Sequence, residues 1–257
     1  MEFSLFQTLH LFRGRVRLLD RHVGLLDCVS RELFGRPYAP DVRQLERRAA
    51  AVSGSRREAG APSAFVRLEW TAAGEERLVP EGLSYYEGYA LRSVQPRGVS
   101  LCCQLPLDGY PTSARTAAVE AANRLATCAG GQTGVLCDAA GGLHTVGGSP
   151  LAVVEEYTVI LPPESSPCTL APLPDGRPGR RFEAPPSVER QLLAEAVRAS
   201  GLTLEERPMA LGEIDRFDEL FWLDHRGITA LAELDGRPLM GLLAGRVAEA
   251  LENLFRK

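Results

Sequence analysis

Apolar residues recur along this chain at strand-like spacing in some stretches and at helical spacing in others, and the changes between the two mark out its elements. The runs Phe3 to Leu11 and Val16 to Leu19 flank Phe12-Arg13-Gly14-Arg15, where a glycine supplies turn geometry, so the chain is predicted to open with a β-hairpin. Asp20 is placed to cap a following helix, whose Val23, Leu26, Val29 and Leu33 keep helical spacing as far as Gly35 and Pro37. A second helix, Asp41 to Val52, carries Val42, Leu45, Ala49 and Val52 on one face and stops at Ser53-Gly54-Ser55. Phe65 to Trp70, Ala90 to Ser93 and Ser100 to Leu105 are short β-like runs between turns that contain Gly and Pro. They predict an antiparallel sheet with both helices on one face, a small α+β lobe over residues 1–111.

Gly109-Tyr110-Pro111 breaks this pattern, and an alanine-rich helix from about Ser113 to Cys128 opens a second, larger lobe over residues 112–257. Strands are predicted at Thr133 to Cys137, Leu151 to Val154 and Tyr157 to Leu161, followed by a proline-rich loop from Pro162 to Pro186. Ser187 caps a helix through Ser200 that Gly201 ends, and strands follow at Leu202 to Glu206 and Phe217 to Leu223. Ile228 to Leu234 and Arg237 to Met240 read as a hairpin around Asp235-Gly236, with a terminal helix behind it. There is no internal repeat.

Composition narrows the chemistry. With 257 residues, 45% of them hydrophobic, the chain has enough material for a sizeable core. Its net charge of -4 disfavours a nucleic-acid partner, because phosphate contacts need a concentrated basic surface. No apolar stretch approaches the roughly 18 residues of a membrane span, and Met1 to Ser4 has no secretory character, so a cytoplasmic location is expected. The six cysteines form no C-x-x-C and read as reduced core thiols. His10, His22, His144 and His225 fall at no metal-ligand spacing, so no metal is expected. Ser149 follows Gly147-Gly148 but lacks the G-x-S-x-G elbow of a serine hydrolase. The only lysine is Lys257, the last residue.

Three stretches carry a further pattern. The first is Phe6-Gln7-Thr8-Leu9 with Gly14-Arg15, Leu18 to Asp20 and His22; the second is Asp138-Ala139-Ala140-Gly141-Gly142-Leu143 followed by Leu151-Ala152-Val153-Val154. The third is Gly201-Leu202-Thr203-Leu204-Glu205-Glu206-Arg207 and Asp218-Glu219-Leu220-Phe221-Trp222-Leu223, with Gly227-Ile228. In content and order they resemble the opening F-E-T-L, G-R, L-x-x-H series, the D-x-x-G-x-V-x-E, N-[LI]-F segment and the closing G-[IV]-x-V-x-E, D-E-[VL]-F-L, G-I pattern of a known family. That family is the class IV aminotransferases and aminodeoxychorismate lyases, the fold-type IV enzymes of pyridoxal phosphate. The resemblance spans nearly the whole chain and implies a two-lobed α+β fold like that of D-amino acid aminotransferase, assembled as a homodimer.

It also implies a lysine at the start of the large lobe, which in such enzymes forms a Schiff base with the cofactor. Counting back from Asp138 by the family's spacing reaches Thr112 or Ser113, and matching the local K-T pair to Arg115-Thr116 needs a small deletion; none of these supplies an amine. The family's phosphate-binding arginine is replaced by Leu25, its pyridine-pairing glutamate by Thr145 and the following asparagine by Pro150. Its phosphate turn is approximated by Ser187-Val188-Glu189-Arg190, where Glu189 would repel phosphate. Each charge-assisted phosphate contact is worth about 1.5 to 3 kcal/mol, so losing several should lower cofactor affinity by orders of magnitude. The expectation is a chain that has lost pyridoxal phosphate and serves as a binding, regulatory or partner subunit, alone or beside a lysine-bearing paralogue. The alternative is an enzyme that reuses the cleft for cofactor-independent lyase or isomerase work, with Arg115, Arg124 and Arg190 as candidate holders of a small anionic ligand.

Overall fold

The computed structural model describes residues 3–54, 60–103 and 107–256; Met1, Glu2, Ser55, Leu105 and Lys257 lie outside them. The opening hairpin forms as predicted around Arg13 and Gly14, whose φ values of 50° and 84° give the left-handed pair that a two-residue turn needs. Its first strand is Ser4–Phe12 and its second only Arg15–Val16, because the chain has already entered helix α1, Leu19–Phe34. The residue at the cap of α1 is Leu18, with φ 55° and no side-chain hydrogen bond, so Asp20 does not cap. It sits in the first turn, where an acid still complements the helix dipole. Helix α2, Val42–Gly54, is capped instead by Asp41, whose carboxylate accepts from the Gln44 N–H at 3.0 Å.

The first sheet has four strands in the order Arg15–Val16, Ser4–Phe12, Ser63–Thr71 and Glu76–Ser84. The last of these was not predicted. As the edge strand it leaves alternate residues in solvent, and Pro80 and Gly82 interrupt its β pattern. Helices α1 and α2 bury Leu25, Leu26, Val29, Leu45 and Ala49 against Leu5, Leu9, Val66 and Leu68 of this sheet.

The other two runs assigned to this lobe belong elsewhere. Ala90–Leu91 pairs in parallel with Gly227–Ala230, and Arg97–Cys102 in parallel with Thr133–Cys137, so both are part of the larger sheet. That sheet has eleven strands and continues through Leu143–Val146, Ser149–Glu155 and Glu219–Asp224, with Thr158–Leu161 and Thr203–Glu206 branching from it. The expected strand Ile228 to Leu234 divides into Gly227–Ala230 and Glu233–Leu234; the second half forms the predicted hairpin with Arg237–Pro238. Strands such as Thr133–Cys137 and Glu219–Asp224 are buried along their whole length, since core lies on both sheet faces. Helix α3, Ser113–Cys128, matches its prediction, with the Thr112 hydroxyl accepting from the Arg115 N–H. Helix α4, Val188–Ala199, is capped by Ser187 and lies beside helix α5, Leu242–Asn253, on one face of the sheet. The proline-rich stretch is a strap whose only regular structure among the described residues is a short ladder between Cys168–Thr169 and Arg181–Phe182. None of the described helices is long and apolar enough to cross a membrane.

Candidate functional site

The two sheets together line a cleft of about 240 Å³. From the first sheet come Phe6 and Thr8, on the strand face opposite the buried Leu5 and Leu9, together with Arg67 and Glu81. Arg67 lies 3.8 Å over the Phe6 ring and is held by Glu69 at 2.9 Å and by the Thr116 hydroxyl at 3.3 Å. Glu81 accepts from the Thr8 hydroxyl at 2.8 Å. This wall is therefore a stacked cation neutralised by its own neighbours.

The opposite wall is built by α3, the Gly147-Gly148 turn, the start of α4 and the turn Asp224-His225-Arg226. Gly147 and Gly148 both have positive φ, and a Cβ on Gly148 would lie 2.8 Å from a Val119 methyl, so glycine is what lets this turn press against α3. Arg115 donates to the Gly148 carbonyl across that contact. Asp224 is buried and accepts two bonds from the Arg226 guanidinium, at 2.7 and 3.1 Å, and one from the Arg226 backbone N–H at 2.7 Å. Burial raises its carboxyl, but His225 and Arg226 more than offset this and hold it below the usual carboxylate range. Glu189 moves the other way. Burial pushes its carboxyl up to about 7, Glu164 and Asp224 add repulsion, and its own backbone N–H and Arg115 only partly oppose them.

The expected site residues divide three ways. Leu25, Arg115, Pro150 and Glu189 come together in the cleft. Thr112 and Ser113 are buried at the start of α3, where Thr112 caps the helix and the Ser113 hydroxyl accepts from the Ser4 N–H at 3.1 Å; Thr145 lines a small side cavity with Asp108, His144 and Glu164. Arg124 and Arg190 do not face the cleft: Arg124 is exposed and pairs with Glu120 one turn away, while Arg190 is held by the Leu161 and Pro162 carbonyls and by Glu206. Two of the three proposed anion holders are thus already partnered elsewhere.

Phe6, Thr8, Arg67, Glu81, Asp224 and Arg226 are cleft residues that were not among the candidate site residues, although Phe6 and Thr8 stand in the opening motif. Period-two alternation along Ser4–Phe12 and Ser63–Thr71 is the signal that would have found the first three. The histidines read as structural divide as well. His22 is buried with Nδ1 2.7 Å from the Gln7 Oε1, burial lowering its titration to about 4, and His144 ties the strap through the Pro163 carbonyl and Ser166. His225, by contrast, lines the cleft.

The raised Glu189 carboxyl has a consequence for stability. Between its ordinary value of 4.5 and about 7 the folded chain holds a proton that the unfolded chain has released, so this contribution is full below pH 4.5 and lost as pH rises through 7. Glu189→Gln is expected to match wild type near pH 4.5 and to exceed it at pH 8 by on the order of 1 to 2 kcal/mol, after allowance for partial exposure. Guanidinium unfolding midpoints at the two pH values measure this; parallel curves for both proteins would contradict it.

No family model matches the sequence, nor does any curated protein. Solved structures match its fold. An aminotransferase from Brucella abortus, bound to its cofactor pyridoxal phosphate, superposes with a TM-score of 0.74 at 17% identity, over 98% of this chain and 88% of that one. A Legionella pneumophila protein provisionally ascribed 4-amino-4-deoxychorismate lyase activity gives 0.72 at 15% identity, over 97% and 90%. The branched-chain amino acid aminotransferase of Escherichia coli gives 0.70 at 16%, over 98% and 84%. The chain therefore has the two-lobed α+β architecture of the fold-type IV aminotransferases, as the sequence resemblance implied.

Proposed function

We propose that this chain is a class IV aminotransferase relative that works without pyridoxal phosphate, as a ligand-binding, regulatory or partner subunit. The observation that carries the reading is the missing amine: the first turn of α3 offers Thr112, Ser113 and Arg115, and Lys257 is the only lysine. Imine formation needs a free amine lone pair, which a guanidinium delocalises and keeps protonated. The remaining donor set does not match the cofactor either. Leu25 brings no charge, Pro150 has no N–H, and Glu189 puts a carboxyl where a phosphate would need a donor.

Titrating the purified chain with pyridoxal phosphate, followed by borohydride reduction and peptide mapping, tests this. The expected result is no stoichiometric adduct, or a weak one at Lys257 or the amino terminus. Tight stoichiometric binding, or transamination of any amino acid, overturns the reading. Co-purification tests the partner role, for which a second copy or a lysine-bearing paralogue is the proposed companion.

A second reading keeps the chain an enzyme, a cofactor-independent lyase or isomerase. What favours it is the pair of cleft carboxyls pushed apart in acidity, Asp224 below the usual range and Glu189 up to about 7, the arrangement that separates a base from an acid. A metabolite turnover screen tests it, and activity unchanged in Glu189→Gln would remove it.

A further inference from the structure

Three arginines line the cleft, and they differ in how their charge is met. Arg67 has Glu69 and Glu81, and Arg226 has Asp224. Arg115 makes no direct ion pair among the described residues: Asp108, across the small side cavity, acts on it only through space, and the one bond from its guanidinium goes to the Gly148 carbonyl. Glu189, in the same cleft, likewise has no ion pair and no side-chain hydrogen bond to another residue among those described. A guanidinium and a carboxyl therefore face one cavity with hydrogen-bonding capacity left over, and they do not bond to each other.

We propose that the cleft binds a small carboxylate between Arg115 and Glu189, and that Glu189 takes up a proton as the ligand enters. The inference rests on the cofactor-free reading, since it assigns to a ligand the space that a cofactor would fill. Arg115 meets the anion with the planar fork that suits a carboxylate. Glu189 in its protonated form donates the O–H that a second carboxylate oxygen accepts. Phe6, Leu25 and Pro150 give the carbon body of the ligand an apolar wall, and the cleft of about 240 Å³ has room for a body of a few carbons or one ring.

The proton follows from the charges that surround Glu189. Glu164 on the strap and Asp224 on the strand turn repel a second negative charge, Tyr89 is also near, and Arg115 is the cation that opposes them. An incoming anion draws on Arg115 and adds its own charge, so an ionised Glu189 would face three carboxylates with its one cation already engaged. Protonation removes that repulsion and turns the group into a donor. With the free group titrating near 7, affinity should be about tenfold weaker at pH 8 than at pH 6.

The test is calorimetric titration of the full chain with acetate, pyruvate and benzoate at pH 6 and pH 8, in two buffers of different ionisation enthalpy, with choline as the cationic control. The expected result is binding of at least one carboxylate, about tenfold weakening at the higher pH, and uptake of about one proton per ligand there, with no binding of choline. Glu189→Gln, which keeps a donor, should bind with nearly the same affinity at both pH values, and Arg115→Gln should not bind. Circular dichroism checks that both variants fold, and the wild-type pH dependence and proton count decide the matter if one does not. An internal pyridoxal phosphate adduct would overturn the underlying cofactor-free reading. Without such an adduct, the failure of all three carboxylates, pH-independent affinity or equal binding of choline overturns this proposal alone.

Discussion

Glu219→Ala is expected to lower stability by about 3 to 5 kcal/mol, the largest loss from a single side chain outside the apolar core. Glu219 is 2% exposed and belongs to a central strand, yet its carboxylate closes the start of α5 from across the fold. It accepts from the N–H groups of Leu242 at 2.8 Å, Leu243 at 2.8 and 3.1 Å, and Ala244 at 3.0 Å. The cap residue of α5 is Gly241, which has no side chain to do this. Alanine would strand three donors, and the residue at the innermost of them, Ala244, is fully buried. The loss would spread through the core, because Ala244, Val247, Ala248 and Leu251 of α5 pack against Leu192, Leu193, Ala196 and Val197 of α4. Glu219→Gln keeps two acceptor lone pairs on one oxygen and should cost about half as much. Guanidinium unfolding read by circular dichroism measures both, and amide exchange should show the α5 N–H groups losing protection first. An alanine variant within about 1 kcal/mol of wild type would mean that solvent satisfies these donors and that the cap contributes little.

This cap also shows where local pattern stops being informative. Asp218-Glu219-Leu220-Phe221 was legible as a strand motif, but nothing in its spacing says that the glutamate serves a helix that begins more than twenty residues later. The same holds for the cleft. Leu25, Arg115, Pro150 and Glu189 were reached through family resemblance, whereas Arg67, Glu81, Asp224 and Arg226 arrive from strands whose neighbours only the completed topology supplies. Elements with their own start and stop signals were read well: the Gly109-Tyr110-Pro111 break before α3, Ser187 and Gly201 for α4, and Arg13-Gly14 for the first turn. Elements defined by what covers them were read less well. Glu76–Ser84 is a strand because Ser63–Thr71 offers it a free edge, and Arg97–Cys102 leaves the first sheet because Thr133–Cys137, farther along the chain, offers a better one. Asp20 failed as a cap because the chain enters α1 two residues earlier, at Leu18 in the left-handed region, which leaves Asp20 inside the first turn.

Removing either member of the Arg17–Glu252 pair is expected to cost about 3 kcal/mol, several times the loss from the superficially similar Arg21–Glu195 pair. Both join an arginine near the start of the chain to a glutamate on a late helix, with shortest contacts of 2.7 Å. They differ in surroundings. The Arg17 and Glu252 side chains are 9% and 18% exposed, against 37% and 42% for the other pair. The Arg17 guanidinium also lies 4.3 Å from the Phe255 ring centre, 4.6 Å from Phe12 and 5.2 Å from Tyr89, while Glu252 accepts a further bond from the Tyr89 N–H. Three rings exclude water from the pair, so Glu252→Ala leaves a cation with aromatic faces but no counter-charge, and Arg17→Ala leaves a carboxylate held by one backbone donor. Arg21→Ala should cost less than about 1 kcal/mol and become undetectable in high salt, whereas the Arg17 effect should persist there. A double-mutant cycle on Arg17 and Glu252 isolates their coupling, and replacing both by apolar residues of similar length should recover much of the loss, because it removes the buried charge along with its partner. Equal, salt-sensitive losses at Arg17 and Arg21 would show that the aromatic enclosure admits water and that this joint between the first hairpin and the last helix is no stronger than a surface ion pair.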